Sequence, residues 1–162
     1  MLKISVLDQS IASEGRPHGQ AIQDTLALAR HCESLGYHRF WLSEHHNHPT
    51  ILGTAPEILI AAVGATTKRI RVGSAGVMLP HYSPFKVAEQ FRVLDAIAPG
   101  RIDLGLGRAP GSDGRTAFAL NPMASERPAQ FPADVRDLQA WVTGGALPPE
   151  HPFATLRAYP QG

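Results

Sequence analysis

Phe40-Trp41-Leu42-Ser43-Glu44-His45-His46-Asn47-His48 is the stretch that decides the fold. An apolar run ends abruptly in an acid and three histidines. Phe40 to Leu42 reads as a short buried strand, and the polar residues after it read as the loop that it feeds. In parallel α/β proteins, chemistry gathers where strands end at their carboxyl side. Groups able to give and take protons stand at such an end here.

Outward from this stretch the chain repeats the same unit. Lys3 to Leu7 is an apolar run closed by Asp8-Gln9-Ser10, and it reads as a first strand. Ile11 to Gly19 reads as a loop. From Gln20 to Leu35 the apolar residues Ala21, Ile22, Leu26, Ala29, Cys32 and Leu35 recur at helical spacing, and Gly36 is a natural stop. Tyr37 to Leu42 is the second strand. Ala55-Pro56-Glu57 opens a helix reaching Thr67, with proline in its first turn. Ile70 to Val77 is the third strand. Ser83-Pro84 starts a further helix, serine as cap and proline at the first helical position, and Pro99-Gly100 closes it after Ala98. Arg101 to Gly107 is the fourth strand. The strands are short and mostly apolar, as parallel strands covered on both faces are.

The alternation predicts an α/β fold of (β/α)8 TIM-barrel type, of which this chain holds four strands and part of a fifth unit. A closed barrel takes eight strands and typically about 250 residues; the chain has 162. Residues 1–162 therefore read as one partial barrel domain. Residues 1–107 carry the strands and their helices. Residues 108–162 carry a loop at 108–115, a helix from Pro128 to Val142 and a tail rich in proline and glycine. The chain is either a fragment or must find a partner for its open strand edges.

Composition narrows the function. Lys and Arg number 15 and Asp and Glu 14, a net charge of +1, so no charge excess points to nucleic acid or a membrane surface as partner. Hydrophobic residues make up 43% and charged residues 18%, a globular balance. The single cysteine, Cys32, allows no internal disulfide, which fits a reducing compartment such as the cytoplasm. Met1 to Leu7 is too short and too soon polar for a signal peptide, and no run approaches the length of a membrane span.

Several residues carry candidate chemistry. Imidazole gives or takes a proton near neutral pH, so His45 and His46 suit proton handling; the plain alternative is a pair of histidines satisfied by hydrogen bonds in a turn. A zinc site competes, with His46 and His48 sharing a side and Asp8, His81 and Asp103 scattered as further ligands. The small run Ser74-Ala75-Gly76 permits close approach of something flat, or merely fits a crowded interior. Gly105-Leu106-Gly107-Arg108-Ala109-Pro110-Gly111 is no dinucleotide fingerprint: its third glycine comes one residue late, and a loop follows rather than a helix. Arg108, at a strand's carboxyl end, suits a phosphate, or is a surface arginine. Asp8 and Gln9, ending the first strand, are placed to face a substrate. Glu89 and Arg92, three apart, form either an intrahelical pair or part of a subunit interface.

Three motifs in this order and spacing are similar to those of the bacterial luciferase-like flavin monooxygenases: Trp41-Leu42-Ser43-Glu44-His45-His46-Asn47, Val72-Gly73-Ser74-Ala75-Gly76-Val77-Met78-Leu79-Pro80, and Pro99-Gly100-Arg101-Ile102-Asp103-Leu104-Gly105-Leu106-Gly107-Arg108, with Ala88-Glu89-Gln90 between them. The resemblance covers residues 2–115 and implies the following. The fold is a (β/α)8 barrel, often dimeric through its early helices. The cofactor is reduced FMN supplied by a separate flavin reductase, or coenzyme F420 in some relatives. Molecular oxygen and a small organic substrate, an aldehyde or another compound, complete the reaction. His45 is the first catalytic choice and His46 its neighbour. Ala75-Gly76 backs the flavin ring, in some relatives through a non-proline cis peptide, and Arg108 meets the phosphate. Glu44 is counted with the cofactor-binding residues. Luciferase has a cysteine where this chain has Gly107, so nothing that depends on a thiol carries over. Against this stand an F420-dependent hydride-transfer enzyme, a metal-dependent barrel hydrolase, and a non-catalytic half barrel that self-associates through its edges.

Overall fold

The computed structural model describes residues 2–161. Four parallel strands form one sheet in the order β1 (Ser5–Asp8), β2 (Arg39–Leu42), β3 (Arg71–Met78), β4 (Ile102–Gly107). The helices α1 (His18–Ser34), α2 (Pro56–Thr66) and α3 (Pro84–Ile97) connect them in turn. Two more follow β4: α4 (Gly114–Leu120) and α5 (Phe131–Thr143). The parallel α/β order agrees with the barrel-type alternation. Neighbours in sequence are neighbours in the sheet, so β1 and β4 are its two edges.

Local chemistry explains the boundaries. Ser83 Oγ accepts the backbone N–H of Lys86, and Pro84 occupies the first turn of α3. Pro56 does the same for α2. Gly144, at φ 72°, ends α5 in the left-handed conformation that glycine adopts without penalty. Two expectations shift. The helix foreseen from Pro128 begins at Phe131, because Arg127–Ala129 winds as a 3-10 turn. The stretch after Gly107, read as loop, contains α4. Seven residues are too few to show helical periodicity, and only its cap signals it: Asp113 accepts the N–H groups of Arg115 and Thr116.

The pleat divides the sheet. Phe40, Leu42 and Val72 face the helices and are buried against Ala29, Cys32, Ile60, Val63, Val87 and Leu94. Full burial of side chains of this size stabilises by about 1.5–3 kcal/mol each. Leu138 and Trp141 of α5, with Leu147 and Ala158 of the tail, extend the same core. Arg92 fastens that tail, donating to the carbonyls of Val142 at 3.1 Å and Pro160 at 2.6 Å. Glu89 pairs with Lys86 at 3.3 Å. The Glu89–Arg92 pair that spacing allowed is thus replaced by two separate roles. The opposite face of the sheet carries Leu7, Arg39, Trp41, Arg71 and Asp103; it is open, and Leu7 stands 56% exposed. No helix among the described residues is long and apolar enough to cross a membrane.

Candidate active site at the carboxyl ends of the strands

The loops leaving β1 and β2 are zipped together by backbone. Ala12 N–H donates to Thr50 O at 2.8 Å, Leu52 to Ser10 O at 3.1 Å, Gly53 to Gln9 O at 3.2 Å, and His45 to Gly53 O at 3.0 Å. This antiparallel bridge sets Gln9 beside His45, with the Gln9 amide nitrogen 3.4 Å from His45 Nε2. The amide can only donate, so Nε2 accepts and the neutral ring carries its proton on Nδ1. His45 and His46 are both partly exposed.

Glu44 lies beneath them, 1% exposed. Its Oε1 accepts from His46 Nε2 at 2.7 Å and from the Tyr82 hydroxyl at 2.6 Å. Its Oε2 accepts the Met78 backbone N–H at 2.8 Å. Glu44, counted with the cofactor-binding groups, is therefore inside the wall, its oxygens already engaged by protein donors. Burial, and then the Glu44 charge, push the Tyr82 phenol far above its ordinary range, so Tyr82 is a fixed donor. Burial also raises the Glu57 carboxyl at the start of α2, and the Glu44 charge adds to the effect.

The β4 loop closes on the same group. His46 N–H donates to Gly111 O at 3.3 Å, and His81 Nε2 donates to Pro110 O at 2.6 Å. The His46 and His81 rings meet edge-on at 6.0 Å. Asn47, at φ 52°, reaches Asp113 at 3.3 Å. Tyr82 and His81 were not singled out as partners of the histidine turn. Only their position just past the third strand's exit could have pointed to them.

At the end of β3 the pairing with β4 slips between Ser74 and Val77, leaving Ala75 exposed and Gly76 half-buried. The Ala75–Gly76 peptide is cis. A Cβ at position 76 would lie 2.8 Å from the backbone of Gly105, so the strands approach too closely there for a side chain. Arg108 is exposed. Its Nε donates to Pro128 O at 3.2 Å, and among the described residues its two terminal amino groups take no partner. It borders a cavity of about 290 Å³ lined by Pro80, Phe118, Asn121 and Pro128.

Asp8 departs from expectation. Its carboxylate accepts from Thr25 Oγ1 of α1 at 2.5 Å and from Ser10 N–H at 3.3 Å. The pleat is the reason: Val6 and Asp8 point to the helices, and Leu7 points the other way. Of the pair expected to face a substrate, only Gln9 joins His45. His48 Nδ1 accepts the N–H groups of Thr50 at 3.2 Å and Ile51 at 3.1 Å, which ties it into its own turn. Among the described residues no group of three or more His, Cys, Asp or Glu is placed to hold a metal ion.

Known proteins resemble this chain in sequence and fold. Residues 2–152 match the family described as luciferase-like monooxygenase. An N-acetyl-S-alkylcysteine monooxygenase of Bacillus subtilis is 46% identical over 161 residues, 99% of this chain and 48% of the relative. The crystal structure of apo-MsnO8 superposes with a TM-score of 0.85 at 41% identity, over 94% of this chain and 47% of that one. The FMN-bound oxygenating constituent of 3,6-diketocamphane monooxygenase from Pseudomonas putida, a type II Baeyer-Villiger enzyme, superposes with a TM-score of 0.71 at 25% identity, over 85% of this chain and 37% of that one. The chain thus spans about half the length of the curated relatives it matches. It belongs to the luciferase-like monooxygenase family.

Proposed function

We propose that this chain is the flavin-binding half of an FMN-dependent monooxygenase that uses molecular oxygen to oxidise a small organic substrate. The observation that carries the reading is what the strand ends present: the cis Ala75–Gly76 backbone with Ala75 exposed after β3, His45 with Gln9 after β2 and β1, and Arg108 with its terminal amino groups open after β4. The residues fit the cofactor. Backbone bare of large side chains suits a flat ring, and a guanidinium with its terminal amino groups open suits a phosphate. Bound reduced FMN would supply the electrons for oxygen chemistry. His45 would hold a proton at Nδ1, its ring oriented by the Gln9 amide at Nε2. A separate flavin reductase would deliver the reduced cofactor. The open edges β1 and β4 and the exposed inner face would be covered by further βα units or, for the chain alone, by self-association as a homodimer. The free, buried Cys32 fits a cytoplasmic setting.

An anaerobic titration with reduced FMN, followed by tryptophan fluorescence, tests this. Trp41 on the open face of β2 is one reporter. Saturable binding is expected. Arg108→Ala should weaken it by roughly ten- to a hundredfold, the loss of one charge-assisted hydrogen bond of about 1.5–3 kcal/mol. Equal affinity in the variant overturns the phosphate assignment. Tighter binding of reduced F420 than of reduced FMN transfers the site to hydride-transfer chemistry.

A further inference from the structure

We infer that Glu44 is a positioning residue that locks the histidine turn to the strand exit behind the flavin, fixing both the tautomer of His46 and the path of Met78. The inference deepens the flavin reading and rests on it for its functional meaning.

Glu44 is a carboxylate almost wholly removed from water, with no lysine or arginine bonded to it. A charge so buried persists only if its oxygens are satisfied. Each of its three donors comes from a different place: His46 from the turn after β2, Met78 from the last residue of β3, and Tyr82 from the connection into α3. Met78 stands two residues past Gly76, and the N–H that Glu44 holds is a backbone group, so it fixes the chain itself. His46 in turn donates its own backbone N–H to Gly111 O of the β4 loop. The Glu44 side chain thereby ties the turn after β2 to the end of β3 and the start of α3, and the His46 backbone adds the β4 loop.

The chemistry of the acceptor sets the tautomer. A carboxylate oxygen offers no proton, so His46 Nε2 must carry one, and Nδ1 keeps its lone pair whenever the ring is neutral. His45 has the reverse arrangement through Gln9. The two adjacent histidines thus have opposite proton addresses, and Glu44 is what sets the second. Glutamine at position 44 cannot replace it: one acceptor oxygen and one donor nitrogen cannot serve three donors.

The test is nuclear magnetic resonance on the isotope-labelled chain, reading the His46 ring nitrogens and the exchange rate of the Met78 amide. The wild type should show the Nε2–H form of His46 and a slow Met78 amide. Glu44→Gln should move His46 toward the Nδ1–H form and speed Met78 exchange at least tenfold relative to amides of α1. Glu33→Gln is the structural control. Glu33 also binds three backbone N–H groups, those of Lys68, Arg69 and Ile70, but at the other end of the sheet. It should leave both readouts unchanged. If Glu44→Gln does not fold, Tyr82→Phe serves: freeing Oε1 of one donor should shift the His46 Nε2–H proton signal downfield. An unchanged tautomer and Met78 rate in Glu44→Gln, the same changes in Glu33→Gln, or an unmoved signal in Tyr82→Phe overturns the inference. Wild-type chain that fails to bind reduced FMN removes the flavin reading alone, while the tautomer and exchange data still decide what Glu44 does.

Discussion

The two ends of the sheet are held by opposite means. At the amino end, charged side chains close on one another and on backbone. Asp103 takes Arg39 Nε at 2.6 Å and Arg71 through Nε at 2.8 Å and Nη2 at 2.7 Å. The Arg39 guanidinium also lies 5.0 Å from the centre of the Trp41 ring. Arg101 reaches the carbonyls of Gly64, Thr67 and Ile70, and Glu33 gathers three N–H groups. At the carboxyl end the loops are held by backbone, by the buried carboxylate of Glu44, and by the carboxylates of Asp8 and Asp113. Loose ends remain there: the exposed backbone at Ala75, the terminal amino groups of Arg108, and two buried atoms without partners among the described residues, His81 Nδ1 and Ser43 Oγ. Barrel proteins place chemistry at the carboxyl end and stability at the other. The bonding here differs between the ends: the Arg–Asp layer is saturated at the amino end, while the carboxyl end keeps some polar groups open beside the saturated Glu44.

The largest test strikes between the two ends. A Cβ at Gly73 would lie 2.3 Å from the Asp103 carbonyl oxygen and 2.8 Å from the Trp41 ring. Gly73 and Asp103 are direct partners in the β3–β4 ladder. The strands must separate or the Arg–Asp layer must shift, so Gly73→Ala should cost about 3 kcal/mol, near the upper range of overpacking. For a chain of this size that is a fall in Tm of roughly 6–12 °C by circular dichroism. An unchanged Tm would mean that the amino-end layer is not closely packed at all.

The strand-helix rhythm was legible because each element carried its own signal: apolar runs for β1 to β4, and Pro56, Ser83 and Pro84 as helix starts. The histidine turn was legible because an apolar run broke into polar residues at a strand end. What escaped depends on contacts between segments far apart in sequence. Asp8 was set toward a substrate because its place at a strand end was readable and its pleat parity was not. Glu44 looked like a site residue because nothing in the sequence places Tyr82 and the Met78 amide around it. The α4 helix, at seven residues, spans too few turns for its periodicity to reveal it.

A smaller effect concerns Asp103 and acid. Burial opposes its ionisation, but hydrogen bonds from Arg71 and then Arg39 outweigh that and hold its carboxyl below the usual range. A carboxyl with a depressed folded value contributes stability above its unfolded value, and that contribution is lost as pH falls through the folded one. Denaturant titrations should therefore show wild-type stability dropping as pH falls below about 4. Asp103→Asn should cost about 1–2 kcal/mol at pH 7, a discounted figure for a cluster partly open to solvent. Its deficit should shrink in acid. A deficit independent of pH would assign the loss to packing instead of charge.

The smallest effect carries the opposite sign and belongs to the carboxyl end. Glu57 is raised by burial and by the Glu44 charge, so the fold disfavours its ionised form. An acid with a raised folded value costs stability above its unfolded value, and the cost vanishes as pH falls and the group is protonated. Glu57→Gln removes that charge while keeping the shape. At pH 7 it should raise Tm by about 1–2 °C, within the range of a small substitution effect. At about pH 4, where both forms are largely neutral, wild type and variant should melt together. A variant less stable than wild type at pH 7 would show that the Glu57 charge supports the fold as Asp103 does, and the contrast between the two ends would then rest on the loops alone.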